Sequence, residues 1–450
     1  MEELRSIVTH LNKLGAICYL VGGAVRDQVL GLEPKDLDVE VYGLKSELVV
    51  AALEEFGSVD LVGSSFGIIK LKTLFNEYDF SLPRRESKSG KGHKGFIVEA
   101  DPTMSPLEAA SRRDFTINSM MQNVLTGEII DPFNGIQDLN DHRLSITSEA
   151  FREDPLRVLR GFQFCSRFSL TPDLKTIQTC RLMIDEFDEL PIERVWVEWE
   201  KWALKAVSPA HGLRFLLSSG WITKFRELNA LRGTQQDPEW HPEGDVWTHT
   251  CLVVEEAVRI CERENITGFQ RLVIMFAALC HDLAKPSTTT FTDGRWRSHG
   301  HEAKGEKYTI RFLESIGAPN KLIEHVVPLV VSHLVHCNEM STRAVRRLAN
   351  RIQPATIQDL VYVIEADHSG RSPLPKGIPE NAQKMLDLSR QLCLTVEGPK
   401  PIVGGKLLIS LGVKPGKEMG ALIDQMFERQ LDEEFSTVEE ATEILRKEVL

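Results

Sequence analysis

The chain has 450 residues and a mass of 50.7 kDa, with 42% apolar and 26% charged residues, the make-up of an ordinary globular protein with room for about three domains. That excludes a collagen, a coiled-coil rod and a largely disordered chain, and no apolar run approaches the ~20 residues that span a bilayer. A net charge of −12 repels nucleic acid on average, so any RNA-binding role requires segregated basic residues.

The first residues, MEELRSIVTHLNKLG, read as an amphipathic helix over 1–14 with no signal-peptide core. ICYLV (17–21) reads as a strand, broken by Gly22-Gly23, and AVRDQVLG (24–31) has helical character. DLDVEVYG (36–43) alternates strictly and reads as a strand, as do IIKLKTL (68–74) and YDFSL (78–82). PRRESKSGKGHKG (83–95) reads as a polar, glycine-rich loop, SPLEAASRRD as a helix and FTINSMMQNV (115–124) as a further strand. From Ser148 onward the periodicity is almost entirely helical, interrupted by loops near 228–245, 286–300 and 369–380. Near the end, Ser436 with Glu439 fits a capping box. Eight cysteines without a CxxC pair read as the reduced thiols of a cytoplasmic protein.

Two constellations carry chemistry. Gly22-Gly23, between strand and helix, lets the backbone approach a phosphate at free helix N–H groups, with Arg26 on the first turn. Asp36 and Asp38 share one face of the alternating strand, with Glu40 as a third candidate, while Leu37, Val39 and Val41 face the core. Adjacent carboxylates repel and want a cation between them, which suits divalent-metal binding for phosphoryl chemistry. The second constellation is His249, His281-Asp282 and Asp367, residue types that ligate divalent metals and that can converge from separate helices. His299, His301 and His333 are further candidates as ligands or phosphate contacts.

LVGGAVRDQVLGLEPKDLDVEV closely resembles the first motif of class II tRNA nucleotidyltransferases, the CCA-adding enzymes of the polymerase-β-like superfamily. PRRESKSGKGHKGF resembles that family's flexible loop, RRDFTIN (112–118) its second motif, FREDPLRVLR (151–160) its nucleotide-selecting helix and PIERVWVEWEK (191–201) its neck. The His249…His281-Asp282…Asp367 order resembles the HD phosphohydrolases fused behind some bacterial members. The resemblance implies an α/β polymerase-β-like nucleotidyltransferase head over 1–140, an all-α neck over 141–225, an HD-type helical body over 226–385 and a helical tail over 386–450.

It further implies a triphosphate contact for Arg113 and a ribose contact for Asp114. Glu153, Asp154, Arg157 and Arg160 lie at spacings of three and four on the expected helix, which alone would be an ordinary salt-bridge ladder. The resemblance makes Asp154 and Arg157 the base-reading pair, Glu153 the group that orients Arg157, and Arg160 a triphosphate contact. The chemistry agrees: cytosine and adenine both offer an amino donor beside a ring-nitrogen acceptor, whereas uracil and guanine reverse that pattern. Gln163 stands where relatives often carry a third arginine. Arg84, Arg85, Lys88, Lys91 and Lys94, against Glu86 alone, form the segregated basic patch that the overall charge demands, hinged by Gly90, Gly92 and Gly95.

The expected activity is template-independent addition of CCA to the 3′ end of tRNA from CTP and ATP, with two Mg²⁺ at Asp36 and Asp38. A divalent transition metal is expected at the HD site, where a phosphohydrolase activity remains open. The expected partners are tRNA, CTP and ATP, with no membrane, in a cytoplasmic monomer or homodimer. The rivals are a poly(A) polymerase, an enzyme adding only CC or only A, and an HD phosphohydrolase whose first half merely binds RNA.

Overall fold

The computed structural model describes residues 1–34, 36–62, 68–88 and 96–448, with the backbone alone at 62, 85–88, 96–100 and 448. The chain forms two compact units, Met1–Lys224 and Phe225–Leu450.

In the first unit, helix Glu2–Lys13 buries Leu4, Ile7, Val8 and Leu11, a spacing that places all four on one face. That face packs on β1 (Ile17–Val21) and on helix Ser46–Leu53. β1 and β2 (Asp38–Tyr42) are the middle of a seven-stranded sheet that also contains β3 (Ser58–Val62), β4 (Ile68–Lys72), β5 (Glu77–Ser81), β8 (Met121–Asn123) and β9 (Ile129–Ile130). The order is β3-β4-β5-β2-β1-β8-β9; β2 and β5 run parallel and the other neighbours antiparallel.

Two sequence expectations fail in this unit. Residues 84–88 are not loop: they form β6 (Arg84–Lys88), paired antiparallel with β7 (Phe96–Ala100), with Arg84 opposite Ala100 and Lys88 opposite Phe96. The Arg-Arg-Glu-Ser-Lys run lacks apolar alternation, so its strand comes from pairing with Phe96–Ala100 and not from a local signal. Lys91, Lys94 and the three glycines lie outside the described residues. Residues 115–124 are not one strand: Thr116–Asn118 is a 3₁₀ turn and the strand is only Met121–Asn123. The Asn118 side chain, bonded to Asp114 Oδ1 at 3.0 Å, ties that turn to the preceding motif.

Helix Leu156–Phe168 packs against helices Ile192–Lys205 and Pro209–Ser219. Phe162 stacks on Trp202 at a ring separation of 6.0 Å and meets Trp199 at a tilt, 4.6 Å away. The helices approach closely at Gly212, where an added Cβ would lie 2.4 Å from the Phe162 carbonyl oxygen.

The second unit is helical apart from a short hairpin, Thr290–Thr292 with Arg295–Arg297, inside the stretch expected as loop. Helices Val246–Arg263, Gly268–Cys280 and Ile357–Ser369 pack together, and Asn320–Ser332 packs on His301–Ser315. The final helices Gly405–Ser410, Lys417–Leu431 and Val438–Glu448 share a small core including Leu408, Met426, Phe435 and Leu445. The expected cap at Ser436 is displaced by one residue. Thr437 Oγ1 accepts from Glu440 N at 3.3 Å, and the Glu440 carboxylate accepts from Thr437 N at 3.3 Å.

Candidate active sites

The first site is a cleft of about 590 Å³ in the first unit, walled by both ends of the expected motif series. Gly22 has φ +66°, a conformation that favours glycine, and an added Cβ there would lie 3.0 Å from Arg113 Nη1. Arg26 lines the cleft but is already held: Nε and Nη2 donate to Asp27 Oδ1 at 2.9 and 2.7 Å, and Nη1 donates to Asn118 Oδ1 at 2.6 Å. Its guanidinium lies 4.6 Å from the Phe168 ring centroid.

Asp36 and Asp38 do not share a strand. β2 begins at Asp38, leaving Asp36 exposed two residues ahead of it. Asp38 lines the cleft with Glu40. Glu40 is buried, accepting from the Tyr42 hydroxyl at 2.6 Å and lying 3.6 Å from Arg113. Leu37 is only half-buried, while Val39 and Val41 are fully buried as expected. A carboxylate the motif reading missed stands beside Asp38: the parallel register sets Asp79 directly opposite, with Lys70 Nζ 3.3 Å from it. Burial, then Asp79, with Asp36 adding, raises the Asp38 carboxyl above its ordinary value. Crowded hard oxygen donors of one sign are what Mg²⁺ binds, so these residues fit the metal.

Arg113 and Asp114 follow helix Pro106–Ser111. Asp114 is buried and accepts from Arg160 Nε at 2.7 Å, from Asn118 Nδ2 at 3.0 Å and from Phe115 N at 2.8 Å. Burial opposes ionisation, but Arg160 and these donors hold the carboxyl below the usual range. Arg160 thus commits Nε to Asp114 while its side chain lines the cleft.

The four-residue ladder expected from Glu153 to Arg160 is also broken. Pro155 lacks an N–H and pushes the preceding residue to extended backbone. Asp154 accordingly has φ −130°, ψ 109°, and the helix starts only at Leu156. Glu153 accepts from Arg112 Nη2 at 3.1 Å instead of orienting Arg157. Asp154 Oδ1 caps the helix at Leu156 N (3.0 Å), and Oδ2 accepts from Arg194 Nη2 at 2.9 Å. Arg157 Nη1 donates to the Ala150 carbonyl at 2.7 Å. Gln163 lines the cleft while almost fully buried, and its Nε2 has no hydrogen-bond partner among the described residues.

Ten cationic side chains line the cleft against four acidic ones. The segregated basic surface is thus the cleft wall itself. Of the loop cations, Arg84 contributes, while Arg112, Arg167, Arg194, Lys201 and Lys205 were not singled out from sequence. Arg112 opens the second motif and Arg194 and Lys201 fall inside the neck-like segment; a cation there has no local signal that a solvated face does not share.

The second site lies in the second unit. His249 comes from helix Val246–Arg263, His281 and Asp282 follow helix Gly268–Cys280, and Asp367 comes from helix Ile357–Ser369. The three ligand atoms of His249, His281 and Asp367 lie within 4.8 Å of one another, and so do those of Asp282, His301 and His333. His301 starts helix His301–Ser315 and His333 follows helix Asn320–Ser332. His299 is exposed and joins neither group. Glu243 was missed: it bridges His241 and His249 at 2.9 and 2.7 Å. Burial opposes its ionisation, yet the two imidazoles bring its pKa to about 2. Burial likewise favours neutral Asp282 and Asp367, but the histidines around them, with Lys285 beside Asp282, hold both carboxyls well below the usual range. Buried imidazole nitrogens and carboxylate oxygens form the donor set of a divalent transition metal, and these residues fit one.

A mixed sheet with a phosphate-loop glycine pair and strand carboxylates, in one chain with a helical His/Asp centre, defines a nucleotidyltransferase head joined to an HD domain. Residues 18–145 match the Poly A polymerase head domain and residues 246–368 the HD domain. The chain is 36% identical over 389 residues to the multifunctional CCA protein of Mannheimia succiniciproducens, covering 84% of this chain and 88% of that one. It is 34% identical over 391 residues to that of Hahella chejuensis, covering 82% and 88%. The fold matches the Bacillus stearothermophilus CCA-adding enzyme in complex with CTP, at a TM-score of 0.65 and 20% identity over 99% of this chain and 98% of that one. It also matches the Thermotoga maritima CCA-adding enzyme complexed with tRNA, at 0.62 and 17% over 99% and 95%. The chain belongs to the family of the multifunctional CCA proteins, nucleotidyltransferases with a polymerase-type head and an HD domain.

Proposed function

We propose that this protein adds CCA to the 3′ end of tRNA from CTP and ATP without a nucleic-acid template, in the cleft of the first unit. The 3′-hydroxyl of the tRNA attacks the α-phosphate of the incoming nucleotide and pyrophosphate leaves. The observation that carries this reading is the placement of Asp38, Asp154, Arg157 and the Gly22-Gly23 turn around one cleft with a strong excess of cations. Asp36 and Asp38 would hold two Mg²⁺, whose charge activates the hydroxyl and neutralises the leaving group.

The remaining steps fall to the chain. The Gly22-Gly23 turn, with Arg26 and Arg113, receives the triphosphate; Asp114 addresses the ribose and, through its bond to Arg160, keeps that guanidinium facing the cleft. Asp154 accepts from the exocyclic amine of cytosine or adenine, and Arg157 donates to the neighbouring ring nitrogen. Arg194, 2.9 Å from Asp154, is the positioning residue for that carboxylate. Uracil and guanine would set a carbonyl against Asp154 and an N–H against Arg157. The helical part of the chain grips the tRNA acceptor arm by shape and backbone.

A second chemistry is proposed for the second unit. His249, His281, Asp282 and Asp367 would hold a divalent transition metal that polarises a phosphoester for hydrolysis. The buried convergence of these side chains supports it.

The deciding experiment incubates the protein with tRNA lacking CCA and with each labelled nucleotide, separately and together. C and A incorporation ending at full CCA is expected. Product that stops at CC, that grows into poly(A), or that takes U and G as readily would overturn the reading.

A further inference from the structure

Arg26 and Asp114, proposed for the triphosphate and the ribose, stand on different elements. Arg26 lies on helix Gly23–Val29, and Asp114 follows helix Pro106–Ser111. One side chain touches both. Asn118 ends the turn Thr116–Asn118, lines the cleft and is 5% exposed. Its Oδ1 accepts from Arg26 Nη1 at 2.6 Å, and its Nδ2 donates to Asp114 Oδ1 at 3.0 Å. Its backbone N–H donates to the Phe115 carbonyl at 2.9 Å, so the side chain hangs from a fixed point. A guanidinium only donates and an ionised carboxylate only accepts. A group between them must accept on one side and donate on the other, which fixes the amide one way round. Both bonds involve a charged partner and are buried, the strong class of hydrogen bond.

The contacts continue on either side. Asp27 Oδ1 accepts from Arg26 Nε and Nη2, and its Oδ2 lies 3.5 Å from Arg167 Nη2. Asp114 Oδ2 accepts from Arg160 Nε at 2.7 Å. Arg160 and Arg167 sit two turns apart on helix Leu156–Phe168. The run Arg167, Asp27, Arg26, Asn118, Asp114, Arg160 therefore closes on itself through that helix, with Asn118 as its neutral link. Arg26 and Arg160 also lie 5.4 and 5.3 Å from the Phe164 ring centroid. Two like charges share one ring because Asp27 and Asp114 neutralise them from the other side. The bonding also decides which oxygen of Asp114 meets a substrate. Oδ1 already accepts twice, from Phe115 N and from Asn118, so Oδ2 keeps a lone pair beside Arg160.

We propose that Asn118 is a positioning residue that sets triphosphate grip and ribose choice together. It turns Arg26 toward the triphosphate and holds Asp114 with Oδ2 toward the 2′-hydroxyl of the incoming nucleotide. A ribonucleotide is preferred over a deoxynucleotide only while the amide bridges the two. The inference rests on the nucleotide addition proposed for the cleft and assigns that site its discrimination between sugars.

The test compares CTP with dCTP on the full chain in Mg²⁺, by titration calorimetry without tRNA and by addition to tRNA lacking CCA. The wild type should favour CTP in both. Asn118→Ala should raise KM for CTP, leave the order of the four bases unchanged, and cut the preference for CTP over dCTP about tenfold to a hundredfold, the worth of a hydrogen bond to a charged group. Asn118→Asp sets a carboxylate against Asp114 and should lose the preference too, although Arg26 keeps an acceptor; it carries the comparison if Asn118→Ala melts too low to assay. In an Asp114→Ala background, Asn118→Ala should change the sugar preference no further, because it acts through Asp114, while still raising KM through Arg26. A wild type indifferent to the sugar, a preference untouched by both variants, or a further loss in the Asp114→Ala background overturns the proposal. So does a lower kcat with KM and preference intact, the mark of a merely structural role. Sugar-selective binding that follows Asn118 in a protein adding no nucleotide would sink the CCA reading and leave this one standing, whereas CCA addition with a preference indifferent to Asn118 would do the reverse.

Discussion

Asp38 begins a strand and faces the cleft, with Asp79 in register beside it and Asp36 just ahead. Three carboxylates in such proximity persist because the site is built to be neutralised by cations. Asp38→Ala, and Asp36→Ala, should abolish nucleotide addition without unfolding the chain, checked by primer extension on tRNA beside a thermal melt. Near-normal turnover in either would displace the active centre from this cleft. Base choice rests on a smaller set. Arg157→Ala removes the donor that opposes the N–H of uracil and guanine. One such hydrogen bond carries about 1–3 kcal/mol, so discrimination against UTP and GTP should relax roughly five- to 150-fold. Arg194→Ala should shift the same ratio in the same direction by loosening Asp154. Relative kcat/KM values for the four nucleotides decide this, and an unchanged order would remove both residues from base selection.

At the scale of elements, the segment expected as a loop is flanked by a paired hairpin whose register joins Lys88 to Phe96. On the proposed reading the same pocket accepts a larger purine after two C additions, which asks Asp154 and Arg157 to shift, and the basic, glycine-rich sequence between the two strands has the composition of a lever. Replacing residues 89–95 with Asn-Gly, a two-residue hairpin turn, keeps that register. C addition should largely survive while the final A is strongly suppressed, as read from product length with CTP and ATP together. Full CCA from this variant would reduce the segment to an attractor of RNA. Packing of the selecting helix depends on Gly212, where an added Cβ meets Ser166 Oγ and the Phe162 carbonyl. Both neighbours are buried and one is backbone, so relief is costly. Gly212→Ala should lower stability by about 1–3 kcal/mol, seen as a drop in melting temperature; an unchanged melt would mean that the two helices separate freely.

At the scale of the molecule, each unit carries its own site, and each site draws its residues from within that unit. His281→Ala with Asp282→Ala should therefore remove metal-dependent phosphoester hydrolysis and spare CCA addition, measured side by side on one preparation. Loss of both activities would mean that the units depend on each other.

What the sequence determined alone was whatever a short stretch of chain decides by itself. Period-two alternation marked β2 through Val39 and Val41, because successive strand side chains alternate faces. Gly22 marked a turn, because its φ of +66° suits a residue without Cβ. The order of motifs along the chain was enough to name the domain family of each half. What only the tertiary structure decided was pairing. Asp79 reached Asp38 through the register of two parallel strands. Arg112 and Arg194 reached Glu153 and Asp154 across 41 and 40 residues of chain, and Asp367 reached His249 across 118. No local periodicity encodes such meetings. They follow from sheet register and helix packing, which answer to burial of the whole unit, and so the charged partners that tune each site became legible only once the core around them was in place.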